Sequence, residues 1–257
     1  MTKRKLLISG NWKMHKDHRE GLHLIRDLGM RLNAETIASV EVAVHPPFTS
    51  LRTVQSVIEA DRLPITLGAQ HCYHEDSGAF TGEVSASMLS SLDVRHVICG
   101  HSERRHIFGQ SDSEVAKAAV AVVSHGMVPL VCVGETEVER AAGETESVIT
   151  RQLSEVLSTL GKALDGMIVA YEPVWAIGTG QAAEPEDAEI AAALIRGLVE
   201  AQWGKEAAEV LRIQYGGSVK ADNSAEYLAV PNVDGLLVGG ASLEASSFMD
   251  IVTSAVG

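Results

Sequence analysis

Three side chains of different chemical type, Lys13, His101 and Glu172, stand just after short apolar runs of the sequence. Glu172 closes such a run and precedes a proline, so it is either a base whose environment is put to use or a strand-end partner of a surface lysine. His101 could polarise a carbonyl group or fill a structural role. Lys13 could supply positive charge to an anionic substrate or could be solvated. The residues alone leave each alternative open.

Two glycine pairs stand in consecutive segments near the end of the chain, as Tyr-Gly-Gly-Ser at 215–218 and Val-Gly-Gly-Ala-Ser at 238–242. Either pair alone is typical of a tight turn. Two pairs in consecutive loops after strands favour a phosphate cradle, in which backbone N–H groups and a helix N-terminus face the anion.

The segment Ala-Ile-Gly-Thr-Gly at 176–180 suits a mobile lid that closes over a ligand, although an ordinary surface loop fits it too. Residues 178–183 also match the dinucleotide pattern Gly-x-Gly-x-x-Ala. That match is weak, because the glycines lie several residues beyond the apolar run and not at a tight strand-to-helix turn. A metal site is not expected, since His71 and His74 have no second cluster at ligand spacing.

The elements that must position these residues alternate regularly along the chain. Short apolar runs recur at 6–8, 40–44, 64–67, 94–99, 128–133, 167–170, 211–214 and 235–238. Their nearly continuous hydrophobicity predicts strands that are covered on both faces, and helical apolar spacing lies between them. Helix starts are indicated by a Ser-x-x-Glu capping box at 111–114 and by Pro185.

This alternation favours a single-domain α/β fold over residues 1–257, a (β/α)8 barrel of eight parallel strands ringed by helices, over two doubly wound halves. In such a barrel the chemistry takes place in the loops at the carboxyl ends of the strands. The candidate side chains follow predicted strands there: Asn11, Lys13, His101 and Glu172.

The composition excludes some classes of function. The chain has 34 acidic and 21 basic residues, a net charge of −13 and a pI of about 5.2, which argues against binding to nucleic acid. The longest strongly apolar run, 127–133, is far shorter than the roughly 18 residues of a membrane span. A signal peptide is not indicated, because the apolar stretch that follows the basic residues 3–5 spans only residues 6–8. A disulfide framework is not indicated either, because Cys72, Cys99 and Cys132 are odd in number and widely spaced. We therefore expect a cytoplasmic protein.

Six strings resemble those of triosephosphate isomerases and occur in the same order over the whole chain. They are Asn-Trp-Lys-Met at 11–14, Gly-Ala-Phe-Thr-Gly-Glu at 78–83, Gly-His-Ser-Glu-Arg-Arg at 100–105, Ala-Tyr-Glu-Pro-Val-Trp-Ala-Ile-Gly-Thr-Gly at 170–180, Tyr-Gly-Gly-Ser-Val at 215–219 and Gly-Gly-Ala-Ser-Leu at 239–243. The resemblance implies interconversion of dihydroxyacetone phosphate and D-glyceraldehyde 3-phosphate through an enediolate, in glycolysis and gluconeogenesis, with no cofactor and no metal.

The resemblance also implies roles for individual residues. Glu172 would be the base, and His101 and Lys13 would be the electrophiles. Asn11 and Lys13 would bind substrate, and the phosphate would be held by Gly178, Ser218, Gly239 and Gly240. Another phosphate-binding barrel enzyme would explain the glycine pairs but not these three side chains together with the lid. A catalytically silent barrel would be expected to have lost at least one of the three.

A homodimer is also implied, in which the loop around Thr81 enters the partner subunit. Two residues depart from the family pattern at loops that meet this contact, because His15 and His71 replace the usual asparagines. With an ordinary histidine pKa near 6.5, both would be cationic at about pH 5, and the dimer would weaken as the pH falls. Glu184, before Pro185, replaces a usual threonine.

Overall fold

The computed structural model of the protein describes residues 4–161, 167–178 and 182–256. Eight strands close into one barrel in chain order, and every neighbouring pair is parallel. The strands are β1 (Leu6–Asn11), β2 (Val40–His45), β3 (Thr66–Ala69), β4 (His96–Cys99), β5 (Val128–Val133), β6 (Ile168–Tyr171), β7 (Arg212–Tyr215) and β8 (Gly235–Val238). The (β/α)8 barrel is confirmed, whereas the limits 1–257 of a single domain stay a prediction.

Six strands differ by one to three residues from the apolar runs that predict them, and the differences at β3 and β1 lie near the site. β3 begins two residues later than the run at 64–67, and Pro64 lacks the N–H that a strand ladder requires. It continues through Gly68, where the ring of His45 lies so close that a Cβ would overlap it. β1 extends to Asn11, which pairs with His45 of β2, so Asn11 is the last residue of its strand and does not follow it.

Helices surround the barrel and connect its strands. In the described part of the chain the α-helices are α1 (His18–Arg31), α2 (Ala34–Ser39), α3 (Phe48–Asp61), α4 (Ala86–Ser90), α5 (Ser102–His106), α6 (Asp112–Ser124), α7 (Glu137–Ala141), α8 (Thr145–Leu160), α9 (Pro185–Trp203), α10 (Lys205–Val210), α11 (Ser224–Leu228) and α12 (Ala245–Ser254). Two 3₁₀-helices span Val174–Ala176 and Gly240–Leu243. No described helix is both long and apolar enough to cross a membrane.

The predicted helix starts are confirmed. Ser111 caps α6, accepting from the N–H of Glu114 while the Glu114 carboxylate accepts from the N–H of Ser111. Pro185 is the first residue of α9, where its missing N–H costs no helical bond. The apolar series along α8 faces inward and is buried from Val148 to Leu160. Capping and the N1 proline therefore mark where α6 and α9 begin, and burial shows which face of α8 packs on the barrel.

The apolar core has two shells. The larger one fills the space between strands and helices. The smaller one fills the barrel interior with side chains from alternate strand positions: Leu7, Ala43, Ile98, Val128, Leu130, Cys132, Ile168, Ala170 and Leu237. This packing closes the barrel from within, so a ligand can enter only where the strands end.

Candidate active site

A cavity of about 380 Å³ opens at the carboxyl ends of the strands. All eight predicted site residues line it: Asn11, Lys13, His101, Glu172, Gly178, Ser218, Gly239 and Gly240. They come from the ends of β1, β4, β6, β7 and β8, separated by up to 229 positions in the chain. The fold therefore brings the predicted residues to one place, and their roles stay predictions.

Glu172 stands directly after β6 and is almost fully buried. Its Oε2 accepts a hydrogen bond of 2.8 Å from the backbone N–H of Ser102, and its Oε1 lies 3.1 Å from Nε2 of His101. Two glycines make room for it. A Cβ at Gly134 would overlap the carbonyl oxygen of Glu172, and a Cβ at Gly216 would lie 3.0 Å from its Cγ. The carboxylate is thus held at the floor of the cavity by hydrogen-bond donors.

His101 caps the N-terminus of α5, and this contact defines its protonation. Its Nδ1 accepts a 3.2 Å hydrogen bond from the backbone N–H of Glu103, so Nδ1 carries a lone pair and not a proton. The single proton of the ring therefore lies on Nε2, on the side of Glu172. A neutral imidazole thus presents an N–H donor to the cavity.

Lys13 has a left-handed backbone, with φ of 51°. Its N–H donates to Oδ1 of Asn11 at 3.0 Å, and its carbonyl accepts from Nε2 of Gln70 at 2.8 Å. The ammonium lies 2.5 Å from Oε1 of Glu103, and both side chains are partly exposed. Lys13 is therefore fixed at its backbone and at its charged end.

Glycines from the loops after β7 and β8 form another part of the cavity wall. A Cβ at Gly217 would overlap the hydroxyl of Tyr215, whereas a Cβ at Gly240 would meet no atom within 4 Å. Gly240 begins a 3₁₀-helix, and a Cβ on the preceding Gly239 would lie 3.4 Å from Cε of Lys13. Exposed backbone beside a lysine is suited to an anion, since N–H donors and positive charge face the same space.

The predicted lid, residues 176–180, begins at Ala176, the last residue of the 3₁₀-helix Val174–Ala176, and Gly178 within it is left-handed with φ of 71°. Residues 179–181 lie outside the described part of the chain. The base of the segment is tied down by Glu135, which is fully buried and accepts hydrogen bonds from the Trp175 indole at 2.8 Å and from the Tyr171 hydroxyl. Burial raises the pKa of Glu135, and these donors act against that rise.

Glu103, Gln70 and Glu135 were missed as candidates by the sequence reasoning. Glu103 lies in the same string as His101, and Gln70 directly follows β3, so position after a strand was a usable signal for both. Glu135 gave no such signal, because it precedes a capping threonine like many surface acids. Its burial depends on Tyr171 and Trp175, which are distant in sequence.

The expectation that His71 is cationic near pH 5 is wrong. The side chain is buried, and burial, with a further contribution from the nearby Arg104, lowers its pKa to about 3. Nε2 of His71 lies 3.5 Å from the carboxylate of Glu83, and Nδ1 has no hydrogen-bond partner. His15, by contrast, is exposed. In the described residues, no group of three or more histidines, cysteines or acids is arranged to hold a metal ion.

Comparison with known proteins agrees with this geometry. The family model for triosephosphate isomerase matches residues 6–255. The triosephosphate isomerase of Leifsonia xyli subsp. xyli is 47% identical over 248 residues, covering 96% of this chain and 95% of the relative. That of Corynebacterium glutamicum is 47% identical over 253 residues, 98% of each chain, and that of Chloroflexus aurantiacus is 48% identical over 247 residues, 96% and 97%. The chain is an isomerase that belongs to the triosephosphate isomerase family.

Proposed function

We propose that the protein interconverts dihydroxyacetone phosphate and D-glyceraldehyde 3-phosphate, with Glu172 as the base and His101 and Lys13 as electrophiles. The observation that carries this assignment is the convergence of a buried carboxylate, a neutral N–H donor and an ammonium on one cavity beside a glycine-lined wall. This division of roles between a carboxylate base and a neutral imidazole is the one established for triosephosphate isomerases.

The first step removes a proton from the carbon next to the carbonyl of the ketose. Glu172 accepts that proton, and the electron pair of the C–H bond moves toward the carbonyl oxygen to give an enediolate. The negative charge on oxygen is stabilised by the Nε2–H of His101 and by the ammonium of Lys13. A proton then passes from the hydroxyl oxygen on the first carbon to the former carbonyl oxygen, Glu172 returns its proton to the carbon that bears that oxygen, and the aldose results. The total oxidation state does not change, so we propose that neither cofactor nor metal takes part.

The carboxylate of Glu172 must leave its present partners in order to reach substrate. It now accepts from Ser102 N–H and faces His101 Nε2. We propose that a substrate oxygen takes over the Nε2–H of His101, while Glu172 turns toward the substrate carbon. Gly216 leaves room for this movement, because a side chain at this position would place a Cβ 3.0 Å from Cγ of Glu172.

We assign phosphate binding to Gly178, Ser218, Gly239 and Gly240, and substrate binding also to Asn11 and Lys13. All six line the cavity. Holding the phosphate in the plane of the reacting carbons would suppress its elimination from the enediolate, and closure of the segment 176–180 would exclude water.

We further propose a cytoplasmic homodimer that forms through the loop around Thr81. Apolar side chains are exposed at Met14, Phe48 and Phe108 near the active site and at Phe80 in the loop around Thr81. Three of them line a second cavity of about 220 Å³ that also contains His71 and Lys13. Clustered exposed apolar groups of this kind mark an interaction surface. The three cysteines are buried and free, as suits a reducing compartment.

Isomerisation in D₂O tests this function directly. Purified protein, treated with EDTA and given dihydroxyacetone phosphate, is followed by ¹H NMR. We expect D-glyceraldehyde 3-phosphate that carries solvent deuterium on the carbon next to the aldehyde, because the proton passes through a carboxyl group that can exchange with solvent. No conversion, or conversion that requires an added nicotinamide or metal, would refute the proposal.

A further inference from the structure

One side chain outside the assigned catalytic set, Gln70, bridges two loops at the mouth of the barrel. Its Nε2 donates to the carbonyl of Lys13 at 2.8 Å and to the carbonyl of His45 at 2.8 Å. The His45 carbonyl also accepts from the N–H of Trp12 at 3.1 Å. The amide of Gln70 therefore ties the turn that carries Lys13 to the end of β2.

The chemistry of the two acceptors fixes the orientation of this amide. If the amide were rotated by half a turn, Oε1 of Gln70 would face two carbonyl oxygens, and three acceptors would meet without a proton. An NH₂ group has one N–H for each carbonyl, so both of its donors are used. A side chain that can only accept cannot replace it.

The bridge acts on a residue whose backbone needs support. Lys13 is not a glycine, yet its φ is 51°, a conformation that crowds the Cβ of an L-residue. Its N–H is held by Asn11 Oδ1 at 3.0 Å and its carbonyl by Gln70. These two hydrogen bonds hold the peptide groups on both sides of the Lys13 Cα, and they thereby set the direction in which the side chain leaves the turn.

We propose that Gln70 is a positioning residue for Lys13, holding its left-handed backbone so that the ammonium faces the anionic substrate. This inference rests on the proposed function, because it takes Lys13 as the cation that the substrate meets. Gln70 itself lies outside the wall of the substrate cavity and acts through Lys13.

The effect of losing the bridge follows from what Lys13 does. An ammonium stabilises both bound substrate and the enediolate, so its displacement should raise KM as well as lower kcat. A misplacement of about 1 Å costs on the order of 10² in rate when it affects a reacting group. For a group that acts through charge we expect roughly a 10- to 100-fold loss in kcat/KM on the same basis.

Four proteins test the proposal: wild type, Gln70→Met, Gln70→Glu and Gln214→Met. Methionine keeps the length of the side chain but has no donor, and glutamate turns an acceptor toward the two carbonyls. Gln214 is the matched control, because its buried amide also donates to main-chain carbonyls, those of Leu7 and Leu236, and not to Lys13. Steady-state kcat and KM, thermal midpoints, and calorimetric Kd values for 2-phosphoglycolate are measured.

We expect both Gln70 variants to raise KM and the Kd of 2-phosphoglycolate about tenfold or more, glutamate more than methionine, because Lys13 binds the anion already in the ground state. Gln214→Met should lower the thermal midpoint and keep KM and Kd within about twofold of wild type. If Gln70→Met does not fold, Gln70→Asn, which retracts the amide by one methylene, must show the same rise.

Wild-type KM and Kd in a folded Gln70→Met protein, or equal changes in Gln70→Met and Gln214→Met, would overturn the positioning role. Failure of the proposed function is distinguishable from this result, because it would appear as absent turnover in the wild type. The Kd values of 2-phosphoglycolate do not depend on turnover, so they would still test whether Gln70 positions Lys13.

Discussion

Three buried histidines, His45, His71 and His96, make stability depend on pH. Burial is the main cause that lowers the pKa of His45 and His71 to about 3 and that of His96 to about 4, whereas an unfolded chain has histidines near 6.5. As the pH falls below 6.5, these histidines bind protons in the unfolded chain but stay neutral in the folded chain. Stability is therefore complete above pH 6.5 and is lost toward pH 4.

For His71 alone, the loss of unfolding free energy at low pH follows from its pKa values in the folded and unfolded chain. Each pH unit between the unfolded and folded pKa values costs about 1.4 kcal/mol, so the two units from 6.5 to 4.5 cost about 2–3 kcal/mol. That is a substantial part of a typical free energy of unfolding of about 5–15 kcal/mol. His71→Asn removes this proton uptake, and we expect its free energy of unfolding to fall by about 2–3 kcal/mol less than that of wild type between pH 7 and 4.5.

Urea unfolding at several pH values provides the measurement, at one fixed protein concentration and again at a tenfold higher one to separate folding from association. His15→Asn is the control, since its ring is exposed, and it should follow the wild-type curve. The reasoning is refuted if His71→Asn and wild type lose the same free energy between pH 7 and 4.5. His71 would then be protonated or hydrated in the folded protein.

Two further changes test separate parts of the proposed function. Gly239→Val should abolish competitive inhibition by inorganic phosphate, because the valine side chain would enter the space between the backbone and Lys13, where a Cβ would lie 3.4 Å from Cε. An unchanged inhibition constant would show that phosphate binds at another place. Met14→Glu, at a side chain that is 93% exposed, should convert the proposed dimer to monomers in sedimentation equilibrium, because a charge would be buried at the proposed interface. Sedimentation as a dimer that is indistinguishable from wild type would place the contact on another face.

Particular residues show how far the sequence alone leads. The barrel could be predicted because buried parallel strands read as apolar runs and helices as 3.6-residue periods. The apolar run places β3 two residues too early, because the later half of the strand is glycine and alanine. The close packing of Gly68 on the His45 ring cannot be predicted from the local sequence. The cavity residues could be predicted because each lies at the end of a strand or in the loop after it, and parallel strand ends meet at one face.

Interactions between distant elements could not be predicted in the same way. Gln70 and Lys13 are 57 positions apart, and Glu135 and Trp175 are 40 apart. Their pairing depends on the closed barrel and on which rotamer each side chain takes. The pKa of His71 depends on burial and on Arg104, which the string around residue 71 does not reveal. Sequence therefore indicates which groups reach the site, and the structure shows how they are held.

The most direct measurement of the central claim is steady-state turnover of Glu172→Asp alongside its thermal midpoint. Removing one methylene withdraws the carboxylate by about 1 Å from the substrate carbon, which should lower kcat on the order of 10². The fold should persist, because aspartate remains a carboxylate beside Ser102 N–H and His101. Near-normal turnover in a folded Glu172→Asp protein would contradict the assignment of Glu172 as the base.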